Sequence, residues 1–152
     1  ITVYKGKHSK SEIKSVKQCL TVLVDYPIIL VAPLGVDSKH YDEIAGKKLA
    51  LIFFDKRYFL STKGYSELLL SRSFYKNFLS YTSILIYQLD AWVFRNELAY
   101  WCSLNYDYIG APWLDPPPIT SEKKPIINLS NHLRNKVGNG GFSLRKVKTH
   151  LK

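Results

Sequence analysis

Methionine is absent from the 152 residues and cysteine occurs only twice. With no Met, and with Ile1 opening the chain in the middle of an apolar stretch, a sequence trimmed or fragmentary at both ends is expected. Cys19 and Cys102 are too few and too far apart for a structural zinc site. Both lie on apolar, helix-like stretches, so buried free thiols in a reducing compartment are expected, with a single disulfide as the alternative. No apolar run reaches the length of a membrane span, and no signal peptide is visible. The expected location is the cytoplasm, with association at a membrane surface as a variant. Acidic residues are also scarce: 12, against 22 Lys and Arg, for a net charge of +10.

Several catalytic signatures are missing as well. His8, His40, His132 and His150 are isolated and lack H-E-x-x-H spacing, so surface positions are expected for them. No Ser/His/Asp arrangement stands out, which leaves a hydrolytic triad without support. The glycine-rich stretch near the end is followed by no G-K-[ST], and G-x-G-x-x-G does not occur, so neither a P-loop nor a dinucleotide fingerprint is present.

What is present suits one α/β domain over residues 1–152. Apolar residues make up 46% and charged residues 22%, enough apolar surface for a core. The positive charge is compatible with nucleic acid, an anionic membrane surface or an anionic small substrate. The basic residues are scattered, from Lys5, Lys7, Lys10, Lys14 and Lys17 to Arg145, Lys146 and Lys148, and no nucleic-acid motif accompanies them. A solvated surface accounts for most of them, and nucleic acid is not the expected partner.

Residues 1–4 read as the tail of a strand. Ser9 and Glu12 form a capping box, and Ile13, Val16, Leu20 and Leu23 follow at helical spacing, predicting a helix over 11–24. Residues 28–32 and 47–54 are apolar runs typical of buried strands, with a loop marked by Gly35, Asp37 and Gly46 between them. Residues 64–81 read as mostly helical, with Leu68, Leu69, Phe74, Phe78 and Leu79 inward. A strand is expected from Ser83, a short helix over 97–104 and a strand over 106–113. Residues 114–136 are long, polar and proline-rich, as functional loops often are. VGNGGFSLRK, 137–146, is expected to lead into a helix. Strands alternating with helices predict a three-layer α/β sandwich with a mostly parallel sheet, whose ligands bind beyond the carboxyl ends of the strands.

Asp90 is the most informative acid. It follows the apolar run ILIYQL, and a carboxylate placed there is best accommodated at the strand's carboxyl end, facing a cleft. There it could hold a Mg²⁺ or Mn²⁺ ion bridging a diphosphate; an ordinary turn or capping Asp is the other reading. Gly138, Gly140 and Gly141 around Asn139 allow close backbone approach to a ligand, or a tight turn. Trp113, beside Pro112, is the aromatic best placed to stack on a sugar or base. Core positions are expected for Tyr106 and Tyr108, and a structural role for Asp107.

Five segments, KQCLTVLVDYPIILV (17–31), LLLSRSFYKNF (68–78), ILIYQLDAWVF (84–94), YDYIGAPW (106–113) and VGNGGFSLR (137–145), occur here in a recognisable order. In them the chain resembles a family of mostly microbial proteins, long catalogued as a domain of unknown function and regarded as glycosyltransferase-like, often near surface-polysaccharide genes. The resemblance covers nearly the whole chain. It implies a GT-A-like (Rossmann-like) fold with its C-terminal part missing, a nucleotide-sugar donor and a glycan or lipid-linked acceptor. It puts Asp90 in the place of a D-x-D-like acid, with Gln88 and Trp92 where further acids would stand. It also implies a donor site of Gln88, Asp90, Trp113, Gly138, Asn139, Gly140 and Gly141, a divalent cation (Mn or Mg) on Asp90, and a catalytic base beyond Lys152. Family members tend to carry P-E where this chain has Pro33-Leu34. The alternatives are a transferase-like domain that binds a glycan or partner without turnover, and a basic nucleic-acid-binding module.

Overall fold

The computed structural model describes residues 1–4, 8–113 and 135–151. Helix α1 spans Lys10–Val22. The Ser9 hydroxyl accepts from the Glu12 N–H, and the Glu12 carboxylate accepts from the Ser9 N–H at 2.7 Å, so the predicted capping box is formed. Strand β1 (Ile29–Pro33) pairs in parallel with β2 (Ala50–Phe54). The stretch between them, read as loop, contains helix α2 (Lys39–Ala45), closed by Gly46 at φ +64°. Strand β2 is an edge strand rather than a buried one, and Phe53 is exposed.

The predicted helical stretch 64–81 is two helices, α3 (Thr62–Leu70) and α4 (Arg72–Lys76). Ser71 separates them: extended at φ −82° and ψ 139°, it ends α3 and caps α4 through its hydroxyl. Leu68, Leu69, Phe74 and Phe78 are buried as expected, whereas Leu79 lies past α4 and is exposed. Strand β3 (Ser83–Tyr87), helix α5 (Leu98–Ser103) and strands β4 (Tyr108–Pro112) and β5 (Val137–Lys146) follow. The glycine-rich segment is therefore strand, and among the described residues it is followed by a short 3-10 turn, Thr149–Leu151, and no α-helix. Of the proline-rich loop, residues 114–134 lie outside the described residues.

The expectation of one mostly parallel sheet is met only in part. The described strands form a two-stranded parallel sheet, β1–β2, and a three-stranded antiparallel sheet in the order β3-β5-β4. Strand β5 returns between β3 and β4 and runs opposite to both. Apolar runs report burial, not the direction or partner of a strand, and so could not announce this.

The first residues join the two sheets. Val31 N–H donates to Ile1 O and Val3 N–H to Val31 O, both at 2.8 Å, while Thr2 N–H donates to Tyr87 O at 3.0 Å. The spatial order becomes β2, β1, residues 1–3, β3, β5, β4. Helices cover both faces. Leu30 and Ala32 of β1 pack with Val16 of α1 and Tyr41 of α2. Val31, pointing the other way, packs with Leu68 of α3 and Phe74 of α4. Among the described residues no helix is long and apolar enough to cross a membrane.

Candidate functional site

Residues 1–3 and β3 are neighbours in space, yet β1, β2 and their helices lie between them in the chain. To one side the order runs out through β1 and β2, and to the other through β5 and β4. Such a reversal leaves a crevice beyond the carboxyl ends of the flanking strands, a usual place for a ligand in α/β sheets. Tyr4 stands at one of those ends and Gln88 to Asp90 at the other.

The local geometry is held by hydrogen bonds. The Gln88 side-chain amide donates to the Tyr4 hydroxyl at 3.0 Å, and the Gln88 N–H donates to Gly141 O at 2.9 Å. The Gly141 N–H donates to Asn139 Oδ1 at 3.3 Å. A Cβ at Gly141 would lie 2.6 Å from Gln88 Oε1, so glycine is what lets the amide lie against the strand. Tyr4 packs edge-on against Phe59 and Tyr65. Burial raises the Tyr4 phenol well above its ordinary range, with Tyr65 and Asp90 adding to the effect. Tyr4 is therefore a neutral hydroxyl at physiological pH.

Asp90 falls three residues past the end of β3, in a turn, and is exposed. This agrees with a carboxylate at the strand's carboxyl end. Among the described residues no group of three His, Cys, Asp or Glu is arranged to hold a metal ion, so a wholly protein-built metal cage is not formed here. A single carboxylate still fits a cation whose other ligands are phosphate oxygens and water.

Gln88, Asn139 and Gly141 are thus brought together with Tyr4, whose phenol also feels the charge of Asp90. Gly138 and Trp113 form a separate contact where β4 meets β5: a Cβ at Gly138 would lie 3.1 Å from Trp113 Nε1, and the Trp113 N–H donates to Lys136 O at 2.9 Å. Trp113 is exposed. Gly140 lies against Arg145, whose Nη2 would be 2.8 Å from a Cβ at that position.

Other expectations need correction. Tyr106 is exposed rather than in the core, because α5 ends before it and β4 begins only at Tyr108. Tyr108 is half-buried, its hydroxyl donating to Asn139 O at 3.2 Å. Asp107 accepts from the Thr149 hydroxyl at 2.6 Å and pairs with Lys146 at 3.6 Å, a structural role as expected. The His8 side chain is buried, not on the surface: its Nε2 lies 2.5 Å from the Tyr41 hydroxyl. His150 is half-buried and stacks on Tyr75, and His132 lies outside the described residues. Cys19 is buried but Cys102 is exposed on α5, and both thiols are free. Tyr4 and Arg145 were not singled out from the sequence. A strand-end tyrosine was legible for the first, whereas nothing local marks the second.

A family model described as a protein of unknown function (DUF5672) matches residues 48–152, and no curated protein and no solved structure matches the chain.

Proposed function

The chain belongs to this family of unknown function, DUF5672, and for it we propose a glycosyltransferase activity on a GT-A-like fold: transfer of a sugar from a nucleotide diphosphate sugar to a glycan or lipid-linked acceptor, as in surface polysaccharide synthesis. The observation that carries this reading is the meeting of Tyr4, Gln88, Asp90 and the Asn139–Gly141 segment at the carboxyl ends of the strands where the strand order reverses. Helices on both faces of the sheets are consistent with it.

The roles follow from the chemistry of the groups. A departing nucleoside diphosphate gathers negative charge, which must be stabilised for the glycosidic bond to break. A bound divalent cation would supply that stabilisation as a Lewis acid. Asp90 is the residue that would hold it, by an exposed carboxylate in the turn that follows β3. Gln88, tied to Tyr4 and Gly141, and Asn139, tied to the Gly141 N–H, offer fixed amide groups to the hydroxyls of the donor. The exposed indole of Trp113 offers a stacking face. An inverting reaction also needs a carboxylate base for the acceptor hydroxyl.

The reading is tested by calorimetry of the full-length polypeptide with UDP-, GDP- and CMP-sugars, with and without Mn²⁺. One donor class is expected to bind, and Asp90→Ala is expected to abolish the Mn²⁺-dependent part. Absence of binding by every donor would refute the reading, and unchanged affinity in Asp90→Ala would remove Asp90 from the site.

A further inference from the structure

Arg145 is 5% exposed, on the β5 face that looks toward α3 and α4. Its Nε donates to Ser143 Oγ at 3.0 Å, and its Nη1 to Leu69 O at 3.1 Å and Tyr75 Oη at 3.0 Å. The guanidinium lies 5.3 Å from the centre of the Tyr108 ring. Every one of these partners is neutral. Tyr75 is no hidden counter-ion, because burial raises its phenol pKa and outweighs the opposing pull of Arg145. A buried cation with only neutral partners is costly, and an anion relieves that cost.

One end of the guanidinium is left over. Among the described residues, Nη2 makes no hydrogen bond, and it is directed at Gly140, where a Cβ would lie only 2.8 Å from it. Gly140 itself is partly exposed. The backbone there is held in place: Ser143 Oγ donates to Gly140 O at 3.0 Å and Tyr108 Oη to Asn139 O at 3.2 Å. The next residue, Gly141, touches Gln88 of the crevice.

We propose that Arg145 Nη2, bared by Gly140 beside the Gln88–Gly141 contact, forms an anion site that takes a phosphate of a diphosphate ligand. The assignment as the donor's diphosphate rests on the glycosyltransferase reading; the anion site itself does not. In that setting Arg145 adds fixed positive charge to the leaving diphosphate from inside the sheet, whatever ion Asp90 holds.

The test is calorimetry with inorganic pyrophosphate, UDP and GDP in metal-free buffer, on the full-length protein and on Arg145→Gln and Gly140→Ala. Loss of one charge-assisted contact is expected to weaken pyrophosphate binding roughly 10- to 100-fold. In Gly140→Ala the added methyl displaces Nη2, so a similar loss is expected in a protein that keeps its buried Arg. Tighter binding of UDP or GDP than of pyrophosphate assigns the site to a nucleotide; equal binding assigns it to free diphosphate and counts against the donor role alone. If Arg145→Gln does not fold, Gly140→Ala decides. Undiminished pyrophosphate affinity in Gly140→Ala, or no pyrophosphate binding by the native protein at millimolar concentration, would overturn the anion site. Pyrophosphate binding that depends on Arg145 while no sugar nucleotide binds would sink the transferase reading and leave the anion site standing.

Discussion

Cys19 and Cys102 have the same side chain and opposite surroundings. Cys19 lies on the inward face of α1 against Leu23, Tyr87 and Val93, where burial pushes its thiol up to about 11. Cys102 is exposed on α5, its thiol also raised by partial burial. A thiol must be reached by the reagent to react, so access favours Cys102. A disulfide-exchange reagent at pH 8 is expected to titrate one thiol in the native protein, lost in Cys102→Ser, and two in denaturant. Rapid reaction of both thiols in the native state would contradict the burial of Cys19. Both cysteines sit on apolar stretches, and the sequence did not distinguish them. Only the packing of α1 against β3, with α5 left on the outside, separates them.

At the level of the element, local signals were reliable where they were complete. Helix α1 carries a full capping box followed by apolar residues at helical spacing, and it forms within a residue or two of its expected ends. Ser9→Ala removes the acceptor for the Glu12 N–H and is expected to cost about 1 kcal/mol, measured by urea denaturation; a change near zero would show that solvent replaces the cap. Helix α2 was missed because it has seven residues with a single buried one, Tyr41, so no stripe develops. The boundary between α3 and α4 was missed because Ser71 is a cap inside a run of helix-compatible residues. Strand β5 was missed because glycine at 138, 140 and 141 argues for a turn. In place, these glycines let Trp113, Arg145 and Gln88 approach so closely that an added Cβ would force each side chain to shift.

In the whole molecule, residues 1–3 connect the parallel pair to the antiparallel sheet, and Val3 is completely buried. Val3→Ala is expected to destabilise the protein by roughly 2 kcal/mol while unfolding stays a single transition, because both sheets share this segment. A loss below about 0.5 kcal/mol, or two separate transitions by fluorescence and circular dichroism, would show the sheets to be independent.

The sequence by itself determined the α/β class, the first helix with its cap, the approximate places of strands β1 to β4 and the position of Asp90 past a strand's end. These depend on residues close in the chain: periodicity, caps and apolar run length. Tertiary structure alone decided that β5 enters antiparallel between β3 and β4, that residues 1–3 join the sheets, and that Tyr4 meets Gln88 while Arg145 is buried beside Gly140. Periodicity reports which face of a strand is buried, but pairing partners and direction are chosen among segments tens of residues apart. The candidate site is assembled from those choices, so its acid was legible in the chain while its arginine was not.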